Sequence, residues 1–311
     1  MEDPGLHTTI QDLGRPGHRL GGVPPSGAMD RFAIAAANLL VGNPEGAAAL
    51  ECALTGPSLV ARAHVLVATT GADFEPHVNG EPVPTWTGVL LAAGDELSFK
   101  GRRAGARAYV AVAGGLAADH WLGSAATYAL VGRGGFHGRA LKRRDQLEAA
   151  GPAPRPSIAG RTLPETKRPR YSPEPLLGVV GGPHLKRLSA SSRKTFYKER
   201  WAVSRESDRM GYRLEGAQLE IKGADLISFG LAMGCIQVPN NGQPILLMAD
   251  HQTAGGYPVV GAVCRADLPL AAQLLPGDHL RFEDVSLEAA QERWRRLRAA
   301  LDGLRPTDAD S

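Results

Sequence analysis

Glycine and proline interrupt this chain almost everywhere, with 38 glycines and 23 prolines spread through 311 residues. Glycine costs backbone entropy inside a regular element, and proline removes a donor and fixes φ. Scattered in this way, they shorten every uninterrupted run. The pattern suits many short strands joined by tight turns better than long helices. Apolar or alternating runs at residues 65–69, 89–91, 96–99, 108–112, 178–180, 226–228, 245–248 and 259–264 are the strand candidates. Helices are few. One is predicted over residues 29–40, stopped by Gly42, Asn43 and Pro44. A short one follows Asp267, an N-cap candidate with Pro269 in its first turn, and an amphipathic one covers residues 287–304.

Residues 151–175 are rich in Pro and Arg and lack apolar periodicity, so they read as a linker or exposed crossing loop. The chain then divides into an N-terminal β-rich half (1–150), that linker, a C-terminal β-rich half (176–285), and a C-terminal helix and tail (286–311) whose end beyond Pro306 is expected to fray. Two ordered similarities suggest that the halves are related: Gly17-His18-Arg19-Leu20-Gly21-Gly22 with Gly211-Tyr212-Arg213-Leu214-Glu215-Gly216, and Gly94-Asp95-Glu96-Leu97-Ser98-Phe99 with Gly277-Asp278-His279-Leu280-Arg281-Phe282. A duplicated β-rich unit is the expectation, and different strand orders in the two halves would end it.

Lys and Arg exceed Asp and Glu by 35 − 32 = 3, too small and scattered an excess to point to nucleic acid. The three cysteines, Cys52, Cys235 and Cys264, have no metal-type spacing; their odd number and the absence of a secretory signal point to buried thiols in a reducing cytoplasm. No apolar run is long enough to cross a membrane. There is no GxxxxGK[ST] phosphate loop, no dinucleotide fingerprint, no GxSxG elbow and no lysine in a biotin-attachment context. Histidines do not cluster with Asp, Glu or Cys as metal ligands would. Chemistry driven by ATP or biotin would therefore need another chain to carry the nucleotide or the biotin.

Four polar constellations remain. Gln11-Asp12-Leu13-Gly14-Arg15 is followed by Ser26-Gly27-Ala28-Met29-Asp30, where Asp30 can cap the coming helix. Asn38 lies on an otherwise apolar helix and must find a partner. Residues 207–214, SDRMGYRL, form a dense polar loop whose Arg209 and Arg213 can fork onto a carboxylate or phosphate, or form surface ion pairs. Residues 236–257, IQVPNNGQPILLMADHQTAGGY, run from an apolar strand into Asp250, His251, Gln252 and Thr253, then Gly255, Gly256 and Tyr257. Such a turn is either a polar hairpin tip or a ligand wall. In the second case Asp250 is the base, Gln252, Thr253 and backbone N–H groups polarise a carbonyl, and the glycines allow close backbone approach.

These motifs, QDLGR, SGAMD, AN with LVGN (37–43), GGL through LGS (114–124), HGR (137–139), SDRMGYRL, and IQVP, GQPI and DHQTAGGYP (236–258), run in order along nearly the whole chain. In them the chain resembles the biotin-dependent carboxyltransferase-like family, also called allophanate hydrolase subunit 2-like, whose bacterial members include the C subunit of 5-oxoprolinase. The resemblance implies a mainly β, cyclophilin-like barrel architecture. It implies a component that works with B-type and A-type 5-oxoprolinase partner proteins to hydrolyse 5-oxoproline to glutamate at the expense of ATP, with Mg, the complex supplying the nucleotide. It leaves open a carboxyltransferase role in a biotin-dependent urea carboxylase/allophanate system. It also leaves open a non-catalytic role as an antagonist that binds a kinase-inhibitor protein. The expected catalytic residues are Asp250, Gln252 and Thr253. The expected substrate-binding residues are Asp30, Asn38, Asp208, Arg209, Arg213, Gln237, Gly255, Gly256 and Tyr257, and no metal ligands are expected.

Three departures from the family pattern stand out. The chain starts close to its first motif, so a clipped opening strand or a displaced start is expected. Arg144-Asp145 replaces a Gly-Asp turn. Ala254 stands where relatives carry a second threonine, which leaves Thr253 as the hydroxyl donor.

Overall fold

The computed structural model describes residues 1–151, 156–223 and 226–305. Residues 152–155 of the expected linker and the tail beyond 305 lie outside them. The chain forms two compact units, one from Met1–Arg15, Ser26–Pro169 and residues 298–305, the other from Pro16–Pro25 and Arg170–Leu297.

The first unit holds β1 (His7–Gln11), α1 (Arg31–Leu40), β2 (Ala49–Ala53), β3 (Leu59–Val60), β4 (Val65–Asp73), β5 (Pro76–Val78), β6 (Glu81–Pro82), β7 (Gly88–Leu91), β8 (Glu96–Phe99) and β9 (Ala104–Val112). Five of these strands form an antiparallel sheet in the order β1-β2-β9-β4-β7, and four form a second in the order β3-β8-β5-β6. Ile10, Leu50, Val67 and Val110 are buried together from four strands of the first sheet. Helix α1 is apolar nearly all round, FAIAAANLL, and such a helix must be covered on most sides; it packs against β4 and β9. The chain enters it through Ser26 and Gly27 at φ +53° and +84°. A Cβ on Gly27 would lie 2.6 Å from the backbone nitrogen of Gly14, so only glycine fits where SGAMD crosses QDLGR.

The second unit contains β10 (Leu176–Gly181), α2 (Ala190–Lys198), β11 (Trp201–Val203), β12 (Gly211–Glu215), β13 (Phe229–Gly230), β14 (Cys235–Gln237), β15 (Ile245–Leu247), β16 (Ala254–Gly255), β17 (Val259–Val263), α3 (Leu268–Ala272), β18 (His279–Asp284) and α4 (Leu287–Asp302), the last helix ending beyond the unit's limit. Seven strands close into a barrel in the order β10-β17-β14-β15-β12-β11-β18, sealed by parallel pairing of β10 with β18. Leu177, Val179, Trp201, Tyr212, Leu214, Ile236, Leu246, Leu280 and Phe282 are buried along these strands. The alternation that period-2 elements require is plain in β12 and β18, where exposed Arg213 stands between Tyr212 and Leu214 and exposed Arg281 between Leu280 and Phe282. Strands β13 and β16 pair separately as a short ribbon.

The mainly β architecture with a closed barrel is what the glycine and proline spacing and the resemblance led us to expect. The duplication, also expected, is not borne out. The two units differ in strand order, and one matched pair of segments does not even fall in separate units: residues 17–22 and 211–216 both belong to the second, the former containing an exposed 3-10 turn and residues 211–215 forming strand β12. A Gly-Asp turn feeding a strand recurs for local reasons, and that alone accounts for the resemblance of residues 94–99 to 277–282. One other expectation changes, and one helix was not foreseen. Residues 226–228 are not a strand; the strand follows at β13. The region around 190 contains α2, capped by Ser189 accepting from the Ser192 N–H, and it buries only Ser192 and Phe196. So small an apolar face leaves little periodicity to read.

Candidate functional site

The strongest polar cluster in the barrel unit joins the turn before β12 to the turn after β15. Arg209 Nε donates to Asp250 Oδ2 at 2.8 Å, and Arg209 Nη2 to Asp250 Oδ1 at 3.3 Å. The backbones are tied as well, Asp250 N–H donating to Arg209 O at 2.8 Å and Met248 N–H to Met210 O at 3.0 Å. The side chains keep only 20% and 12% of their exposure, so this two-point pair is shielded more than an ordinary surface ion pair. Its position follows from the barrel: β12 pairs with β15 in register, Gly211 opposite Leu247.

The second part of the cluster is built on β14. Its ladder with β17 shifts register between Ile236 and Gln237, the kind of irregularity that redirects a side chain. Gln237 is buried; its Nε2 donates to Tyr257 O at 3.2 Å, and its Oε1 accepts from Gln252 Nε2 at 3.3 Å. The exposed amide of Gln252 is thus anchored from below. A Cβ on Gly255 would stand 2.7 Å from Gln252 Nε2 and 3.0 Å from Leu231 Cδ1; on Gly256 it would stand 2.7 Å from Leu226 O. The glycines therefore make room for protein atoms, not, as expected, for close approach of a ligand to the backbone. Leu231 joins the parts: its N–H donates to Thr253 O at 2.9 Å, and its carbonyl accepts from Arg19 Nη1 at 3.0 Å. The Thr253 hydroxyl has no hydrogen-bond partner among the described residues, and Tyr257 is about half exposed.

Other expected residues lie elsewhere or do other work. Asp208 Oδ1 accepts from the N–H groups of Met210 (2.8 Å) and Gly211 (3.2 Å), so it shapes the turn. Arg213 alternates outward on β12 and lies 3.6 Å from Glu206, both well exposed. The two-arginine clamp is therefore not assembled: Arg209 and Arg213 serve different carboxylates. Asp30, fully buried, caps α1 by accepting from Ala33 N–H at 2.9 Å, and its own N–H donates to the Tyr109 hydroxyl, which donates to Glu51. Burial first, and then the Glu51 and Asp30 charges, pushes Tyr109 well above the ordinary tyrosine range. Asn38 is equally buried. Its Nδ2 donates to the carbonyls of Glu45 (3.2 Å) and Ala47 (2.8 Å), and its Oδ1 accepts from Asn43. Both are structural: their hydrogen bonds hold the two ends of α1, and neither side chain is accessible.

Two residues of the cluster were not anticipated as site residues. Arg19, in a Gly-rich stretch, gives no sequence signal that it meets Leu231. His251 sits inside the motif but is buried at 1% exposure. Its Nδ1 donates to Gln252 O at 2.7 Å, because a carbonyl can only accept, which leaves Nε2 the acceptor nitrogen. The cysteines carry no nucleophile signature. Burial pushes the Cys52 thiol up to about 12 and raises Cys235 and Cys264 as well.

Chemically, the cluster offers a carboxylate held by a guanidinium, an anchored exposed amide, a hydroxyl and a second guanidinium at Arg19. That set suits a small molecule bearing a carbonyl and a negative charge. It does not suit a metal–nucleotide: its one carboxylate is engaged by Arg209, and among the described residues no three His, Cys, Asp or Glu side chains gather as a metal would need.

Residues 21–284 match the family model described as carboxyltransferase domain, subdomain A and B. The chain is 39% identical over 292 residues to the C subunit of 5-oxoprolinase from Escherichia coli (strain K12), covering 92% of this chain and 91% of that protein. It is 32% identical to the urea amidolyase of Saccharomyces cerevisiae, matching 97% of this chain but only 17% of that much longer protein. The crystal structure of K. lactis urea amidolyase superposes with a TM-score of 0.91 at 28% identity, covering 98% of this chain and 20% of that one. The chain therefore spans about a fifth of the urea amidolyases and almost all of the 5-oxoprolinase protein. With most of its length matched by the family model and by relatives above 30% identity, this chain belongs to the carboxyltransferase domain, subdomain A and B, family.

Proposed function

We propose that this chain is the C subunit of an ATP-dependent 5-oxoprolinase and hydrolyses 5-oxoproline to glutamate together with A-type and B-type partner proteins. The observation that carries the reading is end-to-end likeness to a stand-alone protein of that name, 39% identical and matched over 91% of its length. The cluster supports it chemically. Opening a lactam requires polarising its carbonyl, placing a base beside water and orienting the substrate carboxylate. In this reading Gln252 and Thr253 serve the first, Asp250 the second, and Arg209 and Arg19 supply positive charge for the third. Each oxygen of Asp250 has a second lone pair beyond the one that Arg209 uses, so it can still accept a proton. The metal–nucleotide finds no fit among these residues.

A second reading, the carboxyltransferase component of a biotin-dependent urea carboxylase, is favoured by the likeness of nearly the whole chain to one segment of urea amidolyase. One experiment separates the two: 5-oxoproline-dependent ATP hydrolysis by this chain alone and then with the proteins encoded beside it. Turnover only in the mixture, lost with Asp250→Ala, is the expected result. No turnover, together with avidin capture of a biotinylated carrier bound to the chain, would replace the first reading by the second. Full turnover with Asp250→Ala would remove Asp250 as the base.

A further inference from the structure

The first unit contains a cavity of about 550 Å³ that the proposed reaction does not use, lined by Asp73, Glu75, His77, Thr85, Arg103 and Arg168 together with prolines of β5, β6 and their surroundings. The volume lies within the usual range of small-molecule sites. Its charged groups are not all paired with one another. Arg103 is committed to Glu75 at 2.6 Å. Arg168 is held by its Nε, which donates to Leu163 O at 2.7 Å, and by the indole of Trp86, whose ring centre lies 5.8 Å from the guanidinium carbon. Neither Nη atom of Arg168 has a hydrogen-bond partner among the described residues, and desolvation lowers this arginine from its ordinary range.

Acceptors line the same cavity. Asp73 Oδ1 takes the Glu75 N–H at 2.9 Å, while Oδ2 has no partner among the described residues. His77 Nδ1 donates to Glu75 O at 2.7 Å, so its Nε2 is an acceptor with no partner among them. The Thr85 hydroxyl is likewise without one, and Thr85 and Thr87 flank Trp86, a buried bulky residue held at φ +59°. That left-handed backbone is costly for a tryptophan, and it is pinned by Trp86 N–H donating to Thr69 O and Leu163 N–H donating to Trp86 O.

We infer that this cavity binds a small α-amino acid, its carboxylate meeting the Arg168 Nη pair and the Thr85 hydroxyl and its ammonium meeting Asp73 Oδ2 and His77 Nε2. Two carboxylates balance two guanidinium groups in the lining, which suits a zwitterion and disfavours a multiply charged anion such as phosphate. The inference stands apart from the proposed reaction, because binding to the purified chain needs neither partners nor turnover.

Isothermal titration of the purified chain with L-alanine and L-glutamate tests it, with acetate and methylammonium as half-ligands. Saturable binding of the amino acids is expected, with each half-ligand at least ~10-fold weaker. Arg168→Lys removes the planar fork, and Asp73→Asn removes the charge while keeping the Oδ1 acceptor for Glu75; each should weaken binding about 10- to 100-fold. Thr85→Val, which breaks no internal hydrogen bond, should weaken it several-fold and decides the matter if Arg168→Lys fails to fold. Asp250→Ala, in the other unit, should bind the amino acids as the parent does. Absence of saturable binding, acetate binding as tightly as alanine, or undiminished binding by Asp73→Asn would each overturn the inference. So would loss of binding in folded Asp250→Ala, which would place the ligand at the other cluster.

Discussion

Gly255→Ala perturbs the proposed catalytic cluster without removing any of its functional groups. The new Cβ would lie 2.7 Å from Gln252 Nε2 and 3.0 Å from Leu231 Cδ1. Normal contact needs about 3.5 Å or more between such atoms, so the amide must retreat by roughly 0.8 Å. Its bond to Gln237 Oε1 is already 3.3 Å long; a shift of that size away from Gln237 carries it beyond hydrogen-bonding range. The exposed Gln252 can swing aside for the loss of one bond, about 0.5–1.5 kcal/mol. Leu231, buried at 1% exposure, has less freedom, and overpacking there brings the total to roughly 1–3 kcal/mol. Gly230 is the matched control. It stands opposite Ala254 on the same ribbon, has no positive φ, and a Cβ there meets nothing within 4 Å. Gly230→Ala should therefore be neutral or stabilise by about 0.4–1 kcal/mol through the unfolded chain. Urea unfolding gives the stability change, and 5-oxoproline-dependent ATP hydrolysis by the assembled complex gives the activity. Gly255→Ala is expected to lose about 3- to 10-fold in kcat/KM, the kinetic equivalent of one neutral hydrogen bond, and Gly230→Ala to lose nothing. Equal activities for the two variants would refute the claim that the anchored Gln252 amide takes part in the reaction.

Other outcomes follow from the same geometry. A double-mutant cycle on Arg209→Lys and Asp250→Asn, read by urea unfolding, should show coupling of about 1–3 kcal/mol because the pair is two-point and shielded; coupling below ~0.5 kcal/mol would make it an ordinary surface pair. Asn38→Ala removes the Asn38 amide from two carbonyls and leaves the Asn43 amide with Val112 O alone; it should cost roughly 3 kcal/mol in chemical denaturation, while the fraction that remains folded keeps its full kcat in the complex. A selective loss of kcat at undiminished stability would return Asn38 to the site. The Arg298 hydrogen bonds, assisted by Arg305, hold the Glu45 carboxyl below its ordinary range. A depressed carboxylate contributes stability above its unfolded value and loses it as pH falls through the lower folded value. Arg298→Gln should therefore flatten the acid limb of the stability–pH curve and leave its neutral-to-alkaline limb parallel to the parent's; identical acid limbs would show that the pair contributes nothing.

The residues alone decide a good deal. Glycine and proline spacing bounded the element lengths, and short apolar or alternating runs placed β4, β8, β9, β15 and β17 to within a few residues at their starts or ends. The capping role open to Asp30 is the one it has. Helix α2 escaped because it buries so few side chains, and β12 escaped because SDRMGYRL reads as polar until Tyr212 and Leu214 turn inward. Within the motifs, polarity marked candidates but not their partners. Asp208 and Asp250 look alike in sequence; one closes a turn through two backbone N–H groups, and the other meets a guanidinium 41 positions away.

That division has one physical cause. Local sterics and hydrophobic periodicity act over a few neighbouring residues, so turns, strand positions and the family's ordered motifs are written along the chain. A hydrogen bond or ion pair depends on which strands become neighbours. Only the closure of the barrel, with β12 beside β15 and β14 shifted against β17, decided that Arg209 serves Asp250 rather than joining Arg213, and that Gln237 holds Gln252. Likewise, the packing of α1 against its sheet made Asn38 a structural tie, and the chain path around Trp86 left the Arg168 Nη pair without a protein acceptor among the described residues.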